Sequence, residues 1–280
     1  MHAAPSTGNR DRWWHDRRGW PLAAIGVVLV ASGVIHLVVW AVFGGPWEGP
    51  VTWRKPILFG ISGGATAISL GWAWSKLGPR WGDVWLARLT AWALLIEVGL
   101  IDLQRWRGVR SHFNRQTPLD SWLYDAMGGL ILFVTAVIID LTVRWCRTRP
   151  LVAADMLLAA RAGLVLLTVS CLLGIWAGAH GDMRVAAGLP PELYGAAGVV
   201  KFPHGVVIHA IQWLPIVAWA ALRAGLGGRT RLLLVAAATA ASALLLAYAL
   251  TQTLAGRPRF GRTERSTALP EAFDRCGRLA

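Results

Sequence analysis

Pro21-Leu-Ala-Ala-Ile-Gly-Val-Val-Leu-Val-Ala-Ser-Gly-Val-Ile-His-Leu-Val-Val-Trp-Ala-Val-Phe43 carries a single ionisable side chain, His36, along its whole length. A helix needs about 20 mostly apolar residues to cross the hydrocarbon of a bilayer, and this run is long enough. It is also too long for the apolar core of a signal peptide and no small-residue cleavage site follows it, so it reads as a retained helix. Six more such runs follow, near 55–77, 84–104, 121–143, 151–178, 203–225 and 229–253. The chain is 55% hydrophobic and 15% charged, with a mean hydropathy of +0.48. Soluble domains carry about 25% charged residues. The expected fold is all-α, a polytopic bundle of about seven transmembrane helices over 21–254, between Arg-rich polar tails at 1–20 and 255–280.

The formal charge of +13 comes from 28 Lys and Arg against 15 acids. Arginines flanking apolar spans act as topology signals and grip anionic headgroups, and no nucleic-acid-binding motif accompanies them. Their excess on the N-terminal side predicts a cytoplasmic N-terminus in a bacterial inner membrane. Many of the 17 Trp fall at span ends, among them Trp20, Trp53, Trp81, Trp85, Trp106 and Trp145, and read as an interfacial belt. Cys146, Cys171 and Cys276 form no Cys-x-x-Cys pair and suggest neither a disulfide framework nor a thiolate metal site. In the longest connection, residues 179–202, Leu189-Pro-Pro-Glu-Leu-Tyr194 predicts the start of a short surface helix.

With seven spans, three polar motifs share one end of the bundle whichever way it inserts: Trp53-Arg-Lys-Pro56, Arg107-Gly-Val-Arg-Ser-His-Phe-Asn114 and Lys201-Phe-Pro-His204. At a rise of about 1.5 Å per residue, His36 and Glu97 lie roughly 10 Å below that end and His209 roughly 9 Å. Two imidazoles and a carboxylate at one depth suit zinc or non-haem iron, and two histidines on different helices suit haem. The competing reading makes these histidines packing residues bonded to neighbouring helices. Ser32, four residues before His36, shares its face and is placed to orient it. His204 and His209 point about 140° apart on an ideal helix, so they chelate one ion only if that helix start is unwound.

The loop from Arg105 to Asp120 is dense in donors. Arg107 and Arg110 have the geometry for a bidentate anion clamp, with His112 as acid or base and Asn114 beside it. The alternative is a loop that holds lipid headgroups. Asp120 reads as the N-cap of the fourth span, and Asp125 as a partner for a loop arginine or Lys55. Asp140 and Arg161, on the other half, read as structural.

These motifs resemble a family of uncharacterised bacterial multi-spanning membrane proteins. The resemblance rests on Lys55-Pro-Ile-Leu-Phe-Gly-Ile-Ser62, Arg107-Gly-Val-Arg-Ser-His-Phe-Asn-Arg-Gln-Thr-Pro-Leu-Asp120 and Pro203-His-Gly-Val-Val-Ile-His-Ala-Ile-Gln212. It implies a shared site without an activity. Ser32-x-x-x-His36 also matches one element of the seven-span hydrolases of the alkaline ceramidase and adiponectin-receptor type. Their late His-x-x-x-His is absent, which leaves an analogy of architecture.

The leading expectation is an intramembrane enzyme with zinc, iron or haem on His36, Glu97 and His209. Arg107, His112, Asn114 and Asp125 would then act on an amphiphilic or anionic substrate held by Lys55, Arg110, Lys201, His204 and Gln212. The alternatives are a small-solute permease or a scaffold subunit without chemistry. Discontinuous helices and inverted repeats would favour transport, and the sequence displays neither.

Overall fold

The computed structural model describes residues 13–260. Cys276, residues 1–12 of the N-terminal tail and the C-terminal tail beyond 260 lie outside the described residues. A 3-10 turn at Trp13–His15 leads into α1 (Gly19–Phe43), α2 (Arg54–Ser75), α3 (Asp83–Trp106), α4 (Pro118–Arg147) and α5 (Ala154–Ala186). A two-stranded antiparallel ribbon follows, β1 (Leu193–Tyr194) with β2 (Gly198–Val199), then α6 (Lys201–Val207), α7 (Ala210–Arg223) and α8 (Gly228–Leu254). Counting α6 and α7 as one broken span, seven helical segments are long and apolar enough to cross a membrane. The protein is an all-α multi-pass bundle.

In a bilayer, apolar surface gains little by moving from lipid to a neighbouring helix, so close backbone approach at small residues drives association. The α1–α2 pair is built this way. Gly19, Gly26 and Gly33 recur every seven residues on α1 and meet Gly71, Gly64 and Gly60 of the antiparallel α2. A Cβ at Gly26 would lie 2.7 Å from the Gly64 carbonyl oxygen, and one at Gly60 would lie 2.8 Å from the Gly33 Cα. These neighbours are backbone and cannot rotate away.

The core fills the half of the bundle away from the polar motifs, with Leu22, Leu70, Trp74, Leu141, Trp145 and Leu164 fully buried. Two expectations change there. Trp145 belongs to no interfacial belt: it is wholly buried and donates to the Ala73 carbonyl at 3.1 Å. Nor are Arg18 and Arg144 lipid-facing topology residues, because both are buried around Asp83. Arg144 grips that carboxylate at 2.8 and 3.0 Å, and Arg18 approaches it to 3.5 Å while donating to the Leu77 carbonyl. Arg161 donates to the Trp145 and Thr148 carbonyls, and Asp140 lies 3.5 Å from both Arg80 and Arg144.

Two connections also differ from expectation. Leu189–Tyr194 forms no surface helix: its end pairs as β1, held against α5 by His180, whose Nε2 lies 2.9 Å from the Leu193 carbonyl. The cap of α4 is Thr117 and not Asp120. The Thr117 hydroxyl accepts from the Asp120 amide at 3.1 Å and donates to its carboxylate at 2.7 Å, with Pro118 at the first helical position.

Gly64→Val should lower the unfolding midpoint in detergent by the equivalent of about 2 kcal/mol or more, the scale of overpacking. Gly129→Val, where an added Cβ meets nothing within 4 Å, should leave it unchanged. Equal midpoints for the two variants would remove the seam from the account of stability.

Candidate functional site

The site end begins with His36, buried on α1. Its Nδ1 lies 2.8 Å from the Ser32 carbonyl, and its Nε2 accepts from the Trp106 indole N–H at 3.0 Å. The two contacts together put the ring proton on Nδ1 and occupy both nitrogens. Ser32 reaches Nδ1 at 3.4 Å and donates to Asp102 at 2.9 Å, with Asp102 itself 4.0 Å from the imidazole. The four-residue spacing does bring Ser32 to His36. Asp102 and Trp106, which spacing within α1 had no means of revealing, complete the knot to α3.

His36, Glu97 and His209 do not converge. Among the described residues no group of three His, Cys, Asp or Glu is placed to hold a metal ion. Helix rotation is the reason: equal depth left the direction of each side chain open. His36 turns toward Asp102 and Trp106, whereas His209 turns toward α2, its Nε2 3.1 Å from the Ser62 hydroxyl. Glu97 is buried on α3 and has no side-chain hydrogen bond among the described residues.

The sixth span is discontinuous, against expectation. Ile208 and His209 fall between α6 and α7, with His209 at φ −97°, ψ 13°. The Ser170 hydroxyl donates at 2.8 Å to the His204 carbonyl, which an unbroken helix would offer to Ile208. A side chain inserted into the ladder in this way breaks a helix. The His204 ring lies against Gly174, its Nδ1 2.8 Å from the Ser170 carbonyl. Below the break, Gln212 donates to Thr66 of α2 at 3.3 Å, and its own side-chain oxygen is buried without a partner. Above it, Lys201, Gly205 and His209 form one exposed stripe, and an added Cβ at Gly205 would meet nothing. α2 touches α7 through Ser62–His209 and Thr66–Gln212 and makes no comparable contact with α6.

Around Lys55 and Lys201 cations outnumber acids: Arg54 and Arg110 join them, and Glu192 is the charge that acts most on Lys201. Lys55 donates to Ser111 at 3.4 Å and feels Lys201, Arg110 and Arg54, each more strongly than the carboxylate of Glu192. His112 packs among Phe59, Phe113 and Tyr124, with Nδ1 3.0 Å from the Ser111 hydroxyl. Burial first, then the nearby Lys55 and Lys201, pushes its imidazole down to about 3. His112 is therefore neutral near pH 7.

The rest of the loop is structural in this arrangement. Arg107 forms an ion pair with the buried Asp120 at 2.7 Å and also donates to Gln104, so its guanidinium ties α3 to α4 instead of forking toward a ligand with Arg110. Asn114, buried, donates to the Arg110 carbonyl and accepts from the Gln116 amide. Phe113 sits at φ 57°, a left-handed conformation rare outside glycine, and its ring fills the space beside Gly181 of α5. Asp125 pairs with Arg115 at 2.7 Å on the exposed surface, away from Lys55. Trp53 belongs to the site rather than to a belt, buried under the Arg105 guanidinium at 3.9 Å, whereas Trp106 bonds His36 and remains exposed at the end of α3. Trp20, Trp81 and Trp85 remain exposed at helix ends.

Comparison with family models, curated proteins and solved structures returned no match.

The unfolded imidazole of His112 takes its proton near pH 6.5, whereas the folded one stays neutral until about 3. Acid therefore favours the unfolded chain, and the stability associated with a neutral His112 is lost as pH falls from about 7 toward 3. His112→Gln should flatten this part of the midpoint-against-pH curve. Superimposable curves for wild type and variant would show that His112 titrates normally.

Proposed function

We propose that the protein is a permease for a small anionic solute, admitted between α2 and the broken α6–α7 span. The observation that carries this reading is the excess of cations at this end, where Lys55, Lys201, Arg54 and Arg110 gather around the carboxylate of Glu192. Cations brought together in a partly desolvated place repel one another, and an anion relieves that repulsion. A neutral His112 adds no further positive charge. Interrupted helices recur in transporters, and this span is interrupted at Ile208–His209, with Ser170 taking the freed His204 carbonyl. Ser62, His209, Thr66 and Gln212 then supply uncharged polar groups below the cations.

The metalloenzyme reading loses its ligand set, because both nitrogens of His36 are engaged and no three such ligands converge among the described residues. The loop residues fit a supporting role: Arg107–Asp120 and Asn114 hold the segment that presents Ser111 and His112 to Lys55.

In proteoliposomes, purified protein should carry small anions such as phosphate, sulfate and short carboxylates down a gradient above the rate of empty vesicles, while a neutral polyol should not follow. Lys55→Met and Lys201→Met should each cut this flux by about tenfold or more, the effect of losing about 1.4 kcal/mol of anion stabilisation. Flux equal to that of empty vesicles, or unchanged in both variants, overturns the reading. Near-stoichiometric zinc or iron in the purified protein, lost in His36→Ala, would restore the enzyme.

A further inference from the structure

A half-open groove lies at the end of the bundle opposite the polar motifs, where the start of α1 runs beside the second and third turns of α3. Its volume is about 370 Å³. Ala24 and Ile25 of α1 give it an apolar wall, and Trp20 and Trp92, both largely exposed, line it from the two helices. Its charged groups are Arg17 and Arg88, and no acid lines it.

Arg88 stands on the second turn of α3, and its guanidinium lies over the ring of Trp85, one turn nearer the helix start, at 4.9 Å from the ring centre. Long cationic side chains at span ends reach toward the headgroups in this way while their stems stay against apolar surface. Arg17 lies just before α1, at the same end. Neither arginine pairs with a carboxylate among the described residues. The described acids at this end are Asp16, Asp83, Asp140 and Asp155, and other arginines hold them: Arg18, Arg144, Arg80 and Arg231 in turn. Two uncompensated cations beside an apolar groove fit an occupant with negative charge at one end and hydrocarbon at the other. A soluble anion would satisfy the arginines alone, and a neutral chain the groove alone.

We propose that this groove binds one anionic phospholipid, its headgroup drawn to Arg17 and Arg88 and an acyl chain lying along Ala24 and Ile25. Basic pockets between transmembrane helices hold anionic headgroups by this combination. A lipid seated there bridges α1 and α3 where Arg18 and Asp83 also approach each other. The groove is at the opposite end from Lys55 and Lys201, so it stands or falls apart from the permease.

The test is the unfolding midpoint of the full chain in a non-ionic detergent, titrated with phosphatidylglycerol against phosphatidylcholine of the same acyl chains. Phosphatidylglycerol should raise the midpoint saturably, and phosphatidylcholine should need about tenfold more lipid for the same rise. Arg17→Gln and Arg88→Gln should each raise the half-saturating concentration of phosphatidylglycerol by about fivefold, the effect of one basic side chain at an anionic surface. Arg223 also lies over a tryptophan at this end, Trp219, but does not line the groove, so Arg223→Gln should leave the titration unchanged. Ala24→Phe, which fills the groove and keeps both arginines, should weaken binding as well; if it fails to fold, the arginine variants still decide. Equal titrations for the two lipids, or arginine variants that overlay wild type, overturn the site. A loss in Arg223→Gln as large as in Arg88→Gln reduces the effect to general surface charge and overturns it too. Glycerol phosphate raising the midpoint as far as the lipid does makes the occupant a soluble anion and overturns the lipid.

Discussion

The glycine seam between α1 and α2 is the contact on which the polar end depends. Gly26 and Gly64, and Gly33 and Gly60, let two backbones touch where any side chain would separate them. That closeness fixes where the far ends of both helices emerge. His36 lies one turn past Gly33 on α1, and Lys55 lies five residues before Gly60 on α2. Both meet the end of α3, His36 through Asp102 and Trp106 and Lys55 near Arg105. Forcing the seam apart would therefore disturb the cations around Lys55 as well as the helix pair.

Charged groups at the two ends of the bundle follow different rules. Around Asp83 the charges are matched, Arg144 and Arg18 against Asp83 and Asp16, with the Leu77 and Gly78 carbonyls accepting further donors. Removing one partner of such a buried set leaves an uncompensated charge, at a cost of about 3–5 kcal/mol. Around Lys55 the charges are not matched, and donors at Thr52 and Arg105 stand without acceptors. Close-packed Leu, Trp and Ile side chains lie between the two ends. A matched network locks a fold, whereas a buried donor without an acceptor costs about 1–3 kcal/mol.

The spans were legible because lipid demands about 20 apolar residues in succession, a one-dimensional requirement that composition reveals directly. Helix ends were less legible. α4 and α5 run past their apolar cores, to Arg147 and Ala186, because the helical ladder continues once side chains reach water. Arg144 shows the limit of pattern reading: an arginine at a span end reads as a headgroup contact, and only the position of Asp83 on another helix makes it a buried ion pair. The break at His209 was invisible for a similar reason. No proline or paired glycines mark it; the interrupting group is Ser170, on a different helix.

By itself, the sequence determined the number of spans, the meeting of Lys55, the Arg107–Asn114 loop and His204 at one end, and the Ser32–His36 pairing within one helix. These follow from hydropathy, from the parity of membrane crossings and from the 3.6-residue turn. Tertiary structure alone decided which way each helix is rotated, and hence that His36 faces Trp106, that His209 faces Ser62, and that Thr52 and Arg105 share a cavity with Lys55. Depth along a helix is counted from its own residues. Rotation about its axis is set by the neighbours it packs against, in this chain above all by the glycines that bring α1 onto α2.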